Sequence, residues 1–249
     1  MSDLGFAFTW YGHSCVEIET EAGTRLILDP WFGNPTSPRA ADSVDRCDVL
    51  LVSHGHFDHL GGAVGGMDRS DAVTIAARTS PVWPCIHEMS LWLGDLDTPA
   101  EVVGMNKGGT VTARGIGITM VHADHSAGDW AADQKVVLDL GEPVGFVLQL
   151  ENGRRVYLAG DTDVFGDMAL IRELLRPDIA FLPIGGHFTM DPRRAAKAVE
   201  LLGVSTVVPI HWGTFPILAG TPDQLRAALS DRGLGSVEVL SPDRGERVE

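Results

Sequence analysis

Cysteine is scarce in this chain: Cys15, Cys47 and Cys85 are scattered and odd in number. That argues against a disulfide framework or a thiolate zinc site and favours a reducing compartment. Basic charge is scarce too, with 19 Lys and Arg against 34 Asp and Glu, a net charge of −15. No basic cluster compensates; the pairs Arg154–Arg155 and Arg193–Arg194 are not extended. Such a surface repels a phosphate backbone, so nucleic acid is not an expected partner, although a local metal charge can still hold a small anion. No window is apolar enough for stable membrane insertion, and the opening MSDLGFAFTWYGHSC lacks the basic stretch and apolar core of a signal peptide. A cytoplasmic protein is expected. Low-complexity segments, short repeats and linkers are missing as well, so residues 1–249 read as a single domain.

What is present is strand, then strand alternating with helix. Phe6–Trp10, Val16–Thr20 and Arg25–Leu28 read as strands broken by YGHS and EAGT, and DVLLVS at 48–53 as a short buried strand. Residues 80–93 read as a helix opening at Ser80–Pro81, and 116–121, 144–150 and 155–159 as strands. IAFLPI at 179–184 and TVVPI at 206–210 are strands; between them lies a helix with Asp191 as N-cap, Pro192 at its first position and Gly203 as its stop. Thr221 and Gln224 form a capping box for a second helix, and VEVL at 237–240 closes the series. This order implies mixed sheets covered by helices, an α/β fold.

Several apolar runs end in a metal-capable residue: DVLLVS in His54, GITMVHAD in His122 and His125, RRVYLAG in Asp161, IAFLPIGG in His187, TVVPI in His211. Ligands of open sheets gather at strand carboxyl ends, so these distant segments are expected to share one rim. His54 and His56, two apart, face the same side of extended chain; Asp58 and His59 follow after a glycine-rich turn. Four such ligands in six residues fit two adjacent ions better than one tetrahedral ion. Imidazole and carboxylate without thiolate suit zinc, manganese or iron. His13 in YGHSC reads as structural or as a residue behind the ligands, His87 as core or surface, and Cys85 as core.

The pattern H-x-H-x-D-H after an apolar strand, here His54, His56, Asp58 and His59, resembles the signature of the metallo-β-lactamase superfamily, and His125, Asp161 and His211 continue it in order. LDPWF, HADHS, GFVLQ, AGDTDVFGDM, PIGGHFTM and PIHWGTFP look like its metal-dependent hydrolase branch, related to L-ascorbate-6-phosphate lactonase and more distantly to the phospholipase D type that cleaves N-acyl phosphatidylethanolamine. The resemblance covers nearly the whole chain. It implies a four-layer αββα sandwich with mixed sheets and two divalent ions, zinc first, with manganese or iron as alternatives. It places His54, His56 and His125 on one ion, Asp58, His59 and His211 on the other, and Asp161 between them. In HADHS, position relative to the family motif favours His125 as the ligand and leaves His122 behind the ligands or as an alternate ligand. Asp29 in LDP is expected to orient a ligand histidine, and His187 to lie on a loop facing substrate.

The implied reaction is hydrolysis of a small ester, lactone or phosphodiester, anionic or carbonyl-bearing, through a metal-bridging hydroxide. Asp58 orients the nucleophile, and His187 binds substrate or protonates the leaving group. Iron redox chemistry of the sulfur dioxygenase kind, a nuclease and a non-catalytic metal module are the rivals. The full ligand set, the acidic charge and the room left for water argue against them in turn. Loops 31–45, 126–134 and 185–191 are expected to set selectivity. Loop 31–45 reads equally as a lid or as a subunit contact in a homo-oligomer.

Overall fold

The structure is a computed structural model that describes residues 4–62, 69–96, 98–132 and 134–249. In chain order the first half holds β1 (Phe6–Trp10), β2 (Val16–Thr20), β3 (Arg25–Leu28), β4 (Val49–Leu51), α1 (Phe57–Leu60), α2 (Asp71–Thr79), β5 (Val82–Ile86), α3 (His87–Leu93), β6 (Glu101–Met105), β7 (Thr110–Ala113) and β8 (Ile116–His122). The second half holds β9 (Asp129–Ala131), β10 (Val136–Leu138), β11 (Val144–Gln149), β12 (Arg155–Leu158), α4 (Met168–Leu175), β13 (Ile179–Pro183), α5 (Pro192–Leu202), β14 (Thr206–Ile210), α6 (Pro222–Asp231), β15 (Glu238–Val239) and β16 (Arg247–Val248).

Two seven-stranded mixed sheets result, ordered β16-β1-β2-β3-β4-β5-β6 and β15-β14-β13-β12-β11-β8-β7. β1–β3 form antiparallel hairpins, β3–β6 run parallel, and β12–β15 run parallel in the second sheet. Apolar side chains of both sheets meet in one interior. There Phe8 of β1 stands edge-on to Phe181 of β13 at 5.2 Å, and α2 and α3 contribute Ile75 and Met89 to the same cluster. A second cluster lies between the other sheet and its helices, with Tyr157 and Leu182 against Val199 and Leu225. The layers are thus αββα.

The end signals act where the sequence puts them. Asp191 accepts a hydrogen bond from Arg194 N at 2.8 Å at the start of α5, Gly203 ends it at φ 65°, and Thr221 and Gln224 cap α6 reciprocally. Residues 80–93 depart from expectation: 82–86 is the buried strand β5, and only 87–93 is helical. A strand buried on both faces shows no alternation, so its unbroken apolar run reads like a helix segment. Loop 126–134 also differs. Its residues 129–131 pair with β10 as a small hairpin, while residue 133 lies outside the described residues. No helix among the described residues is long and apolar enough to cross a membrane.

Candidate metal centre

β4 carries the chain to Ser53 and His54, and the short helix α1 then lifts Asp58 and His59 back over the same point. Behind them sits Asp29, fully buried after β3. Its Oδ1 accepts from Ser53 N at 2.7 Å, and its Oδ2 accepts from Ser53 Oγ and from His59 Nδ1, both at 2.8 Å. With its proton given to Asp29, Ser53 Oγ can accept from His54 Nδ1 at 3.0 Å. Both imidazoles are thereby gripped at Nδ1 with Nε2 turned forward, the nitrogen at which a bound cation would take the place of a proton. His54 Nε2 faces His56 Nδ1 at 2.8 Å.

The opposite sheet closes on this cluster. Asp161 follows β12 through Gly160 at φ 61°, where a Cβ would lie 2.5 Å from Ser53 Cβ; only glycine lets the two sheet edges approach this closely. Asp161 Oδ2 lies 3.0 Å from His211 Nε2, 3.3 Å from His59 Nε2 and 3.7 Å from His125 Nε2. Asp124 N donates to Thr162 Oγ1 at 2.9 Å and Asp163 N donates to Asp124 O at 3.0 Å, tying the His125 loop to the Asp161 loop.

Three groupings of ligand-capable atoms, each within 4.8 Å, result: His54, His56 and His125; His13, Asp58, His59 and His211; and His54, His59 and Asp161, which joins the other two. His59 Nε2, Asp161 Oδ1 and both ring nitrogens of His211 are buried with no hydrogen-bond partner. A buried polar atom left unpaired costs about 1–3 kcal/mol, and the convergence of His59 Nε2, His211 Nε2 and the Asp161 carboxylate fits a bound cation. The donor set, imidazole and carboxylate without sulfur, suits a divalent first-row ion.

The family model described as Beta-lactamase superfamily domain matches residues 24–212. The chain belongs to the metallo-β-lactamase superfamily. It is 47% identical to a UPF0173 metal-dependent hydrolase of Koribacter versatilis, over 89% of this chain and 90% of the relative. It is 41% identical to one from Solibacter usitatus, over 97% and 98%. Igni18, a metallo hydrolase from the archaeon Ignicoccus hospitalis, superposes with a TM-score of 0.82 at 32% identity, covering 98% of this chain and 97% of its own. The protein is an enzyme of the superfamily's metal-dependent hydrolase group.

Charge in a superfamily site of this kind is set by competition between burial and neighbours. Burial opposes ionisation of Asp161 and Asp58, but His211 and His59 around the first and the hydrogen bond from His13 to the second outweigh it, and both carboxyls are held below the usual range. Burial also disfavours the imidazolium of His59, yet Asp161 and Asp29 on its two sides win and hold it well above the ordinary value. His13, His54, His56 and His125 are pushed down, by burial above all, His13 to about 4. For these four the unfolded chain takes up protons below about 6.5 while the folded chain does not. Their contribution is therefore intact above that value and is lost as pH falls. His59 acts in reverse: its contribution is intact below the ordinary histidine range and is lost as pH rises through its raised value. Four groups against one predict that chelator-treated protein loses denaturant resistance between about pH 7 and about pH 5, as urea midpoints at the two values will show.

Each sequence-predicted residue has a definite place. His54, His56, Asp58, His59, His125, Asp161 and His211 come together. His122 does not; it is exposed at the end of β8, edge-on to Phe165 at 4.9 Å. His187 is exposed, at φ 62°, with its ring against Phe188; it lines a cavity of about 760 Å³ with Asp191, Arg193 and Gln224 and joins none of the three groupings. His87 is exposed and Cys85 is core. His13 lies inside the centre. Its signal was the one used for the others, an apolar strand (FAFTW) delivering a histidine just past its end.

Proposed function

We propose that the protein is a dinuclear metal-dependent hydrolase of a small ester, lactone or phosphodiester, with residues 1–249 acting as one domain. The observation that carries this reading is the bridging grouping: His59 and Asp161 lie within reach of both His54 and the Asp58–His211 side. His54, His56 and His125 would hold one ion, Asp58, His59 and His211 the other, and Asp161 both. Zinc is the first candidate, with manganese or iron as alternatives.

When bound, such a pair supplies Lewis acidity and a water that ionises near neutral pH. The chain's own residues do the rest. Asp29 and Ser53 fix the tautomers of His54 and His59, so no reorganisation is needed when charge develops. The mouth of the site is where His56, Asp58 and His125 are only half-buried, and exposed Phe57 gives it an apolar edge. Asp58 orients the attacking water there. Two divalent ions would bring four positive charges against the two negative charges of Asp58 and Asp161, and that excess would attract an anionic or carbonyl-bearing substrate despite the acidic exterior. His187 enters the proposal as a substrate contact from loop 185–191. That loop is tied to the Asp161 segment by Met190 N donating to Thr162 O at 3.3 Å.

Protein purified without chelator is expected to carry close to two divalent ions per chain, and to hydrolyse members of a chromogenic panel of phosphodiesters, lactones and esters in its zinc, manganese or iron form. One iron per chain with no hydrolysis would replace this reading with redox chemistry.

A further inference from the structure

We propose that His13 is the positioning residue that assembles the Asp58–His59–His211 half of the centre, holding Asp58 through its ring and His211 through its main chain. The inference rests on the two-cation reading above.

His13 occupies the turn between β1 and β2, fully buried, with left-handed backbone at φ 51°. Its Nδ1 lies 3.0 Å from Thr214 Oγ1 and its Nε2 lies 3.0 Å from Asp58 Oδ2. A carboxylate only accepts, so the ring proton belongs on Nε2, and Nδ1 receives the threonine hydroxyl proton. The carbonyl of His13 accepts from His211 N at 2.8 Å and from Trp10 Nε1 at 2.9 Å. One residue thus grips a carboxylate 45 positions away and a threonine 201 positions away, and its main chain fixes the backbone of a histidine from the other sheet. His211 is itself left-handed at φ 53°, a conformation costly for a non-glycine residue and kept only where its surroundings enforce it.

The two ring nitrogens separate His13 from the ligands. His59 and His211 each keep an Nε2 with no hydrogen-bond partner, turned to Asp161. Both nitrogens of His13 are engaged, one by Thr214 and one by Asp58. An Nε2 that donates a proton to Asp58 has no lone pair for a cation. Its effect is to fix which oxygen of Asp58 remains free and where it points.

The test is titration of chelator-treated wild type, His13→Ala, His13→Gln and Thr214→Val with zinc, read by bound metal, and with cobalt, read by visible absorption. Wild type should take up two ions. His13→Ala should bind the first about as wild type does and the second about 10–100-fold more weakly, the range for losing an outer partner of a metal ligand. His13→Gln, whose Nε2–H reaches Asp58 but which is a poor ligand, should recover most of that loss. Thr214→Val, which keeps the volume but frees the ring, should fall between them. Unchanged second-ion affinity in His13→Ala, or in Thr214→Val should the alanine variant not fold, overturns the proposal. So does a glutamine variant as defective as alanine, which would make His13 a ligand. Wild type that binds only one ion overturns the two-cation reading itself, and this inference with it.

Discussion

Asp161→Ala is expected to lower turnover by at least about a thousandfold, roughly 4 kcal/mol of transition-state stabilisation, and to deplete both ions rather than one. The reason lies in what its two oxygens do. Oδ2 lies within 3.7 Å of ring nitrogens from three separate segments, at His59, His125 and His211. Oδ1 is buried beside it without a partner. Removing the carboxylate leaves imidazole nitrogens facing an apolar void and deletes one of the two negative charges that balance the cations. Asp161→Asn separates charge from shape: it fills the same space, keeps one acceptor oxygen and brings no charge. Its occupancy should fall at both subsites while its fold, read by far-ultraviolet dichroism and urea midpoint of the metal-free form, stays close to wild type. Two ions retained at unchanged affinity in either variant would mean that Asp161 does not bridge.

Much of this site is written in local patterns. Extended chain puts His54 and His56 on one side, Gly160 marks the close approach before Asp161, and strand ends deliver His125 and His211. These signals are short-range, so a single segment carries them. His13 shows where that stops. Its turn looks like any strand-ending histidine, and its role comes from Asp58 and Thr214, which only the folded topology brings near. His187 shows that the strand-end pattern does not by itself make a ligand: the same pattern delivers it, but Gly186 and His187 are both left-handed and its ring lies against Phe188, outside the three groupings. β5 is the same lesson in the fold. Trp83, Cys85 and Ile86 are all buried, so the period that distinguishes strand from helix is erased. Asp29 was legible by resemblance, through LDP, though which histidine it holds, His59, is a fact of geometry.

Asp29→Ala is the variant expected to cost the metal-free protein most. Asp29 is fully buried and accepts three hydrogen bonds, from Ser53 N, Ser53 Oγ and His59 Nδ1. Deleting it orphans a main-chain donor and leaves His59 with only Asp161 to offset its burial; breaking a buried pair by removing one partner typically costs about 3–5 kcal/mol. The same deletion loosens the ring of His59 and frees Ser53 to turn away from His54, so one residue on each subsite loses its fixed tautomer. Cation affinity should fall about 10–100-fold, on both ions. Asp29→Asn is no rescue, because its amide can present an acceptor to Ser53 N or to His59 Nδ1, but its NH₂ must then oppose the other donor. The two effects are measured apart, by urea unfolding of chelator-treated protein and by zinc titration at a temperature where the variant is folded. A stability loss with unchanged zinc affinity would reduce Asp29 to a core carboxylate. Loss of both is what a second layer built to aim the first requires, since the Asp29–Ser53 bonds that steady His54 and His59 also tie together the segments just past β3 and β4.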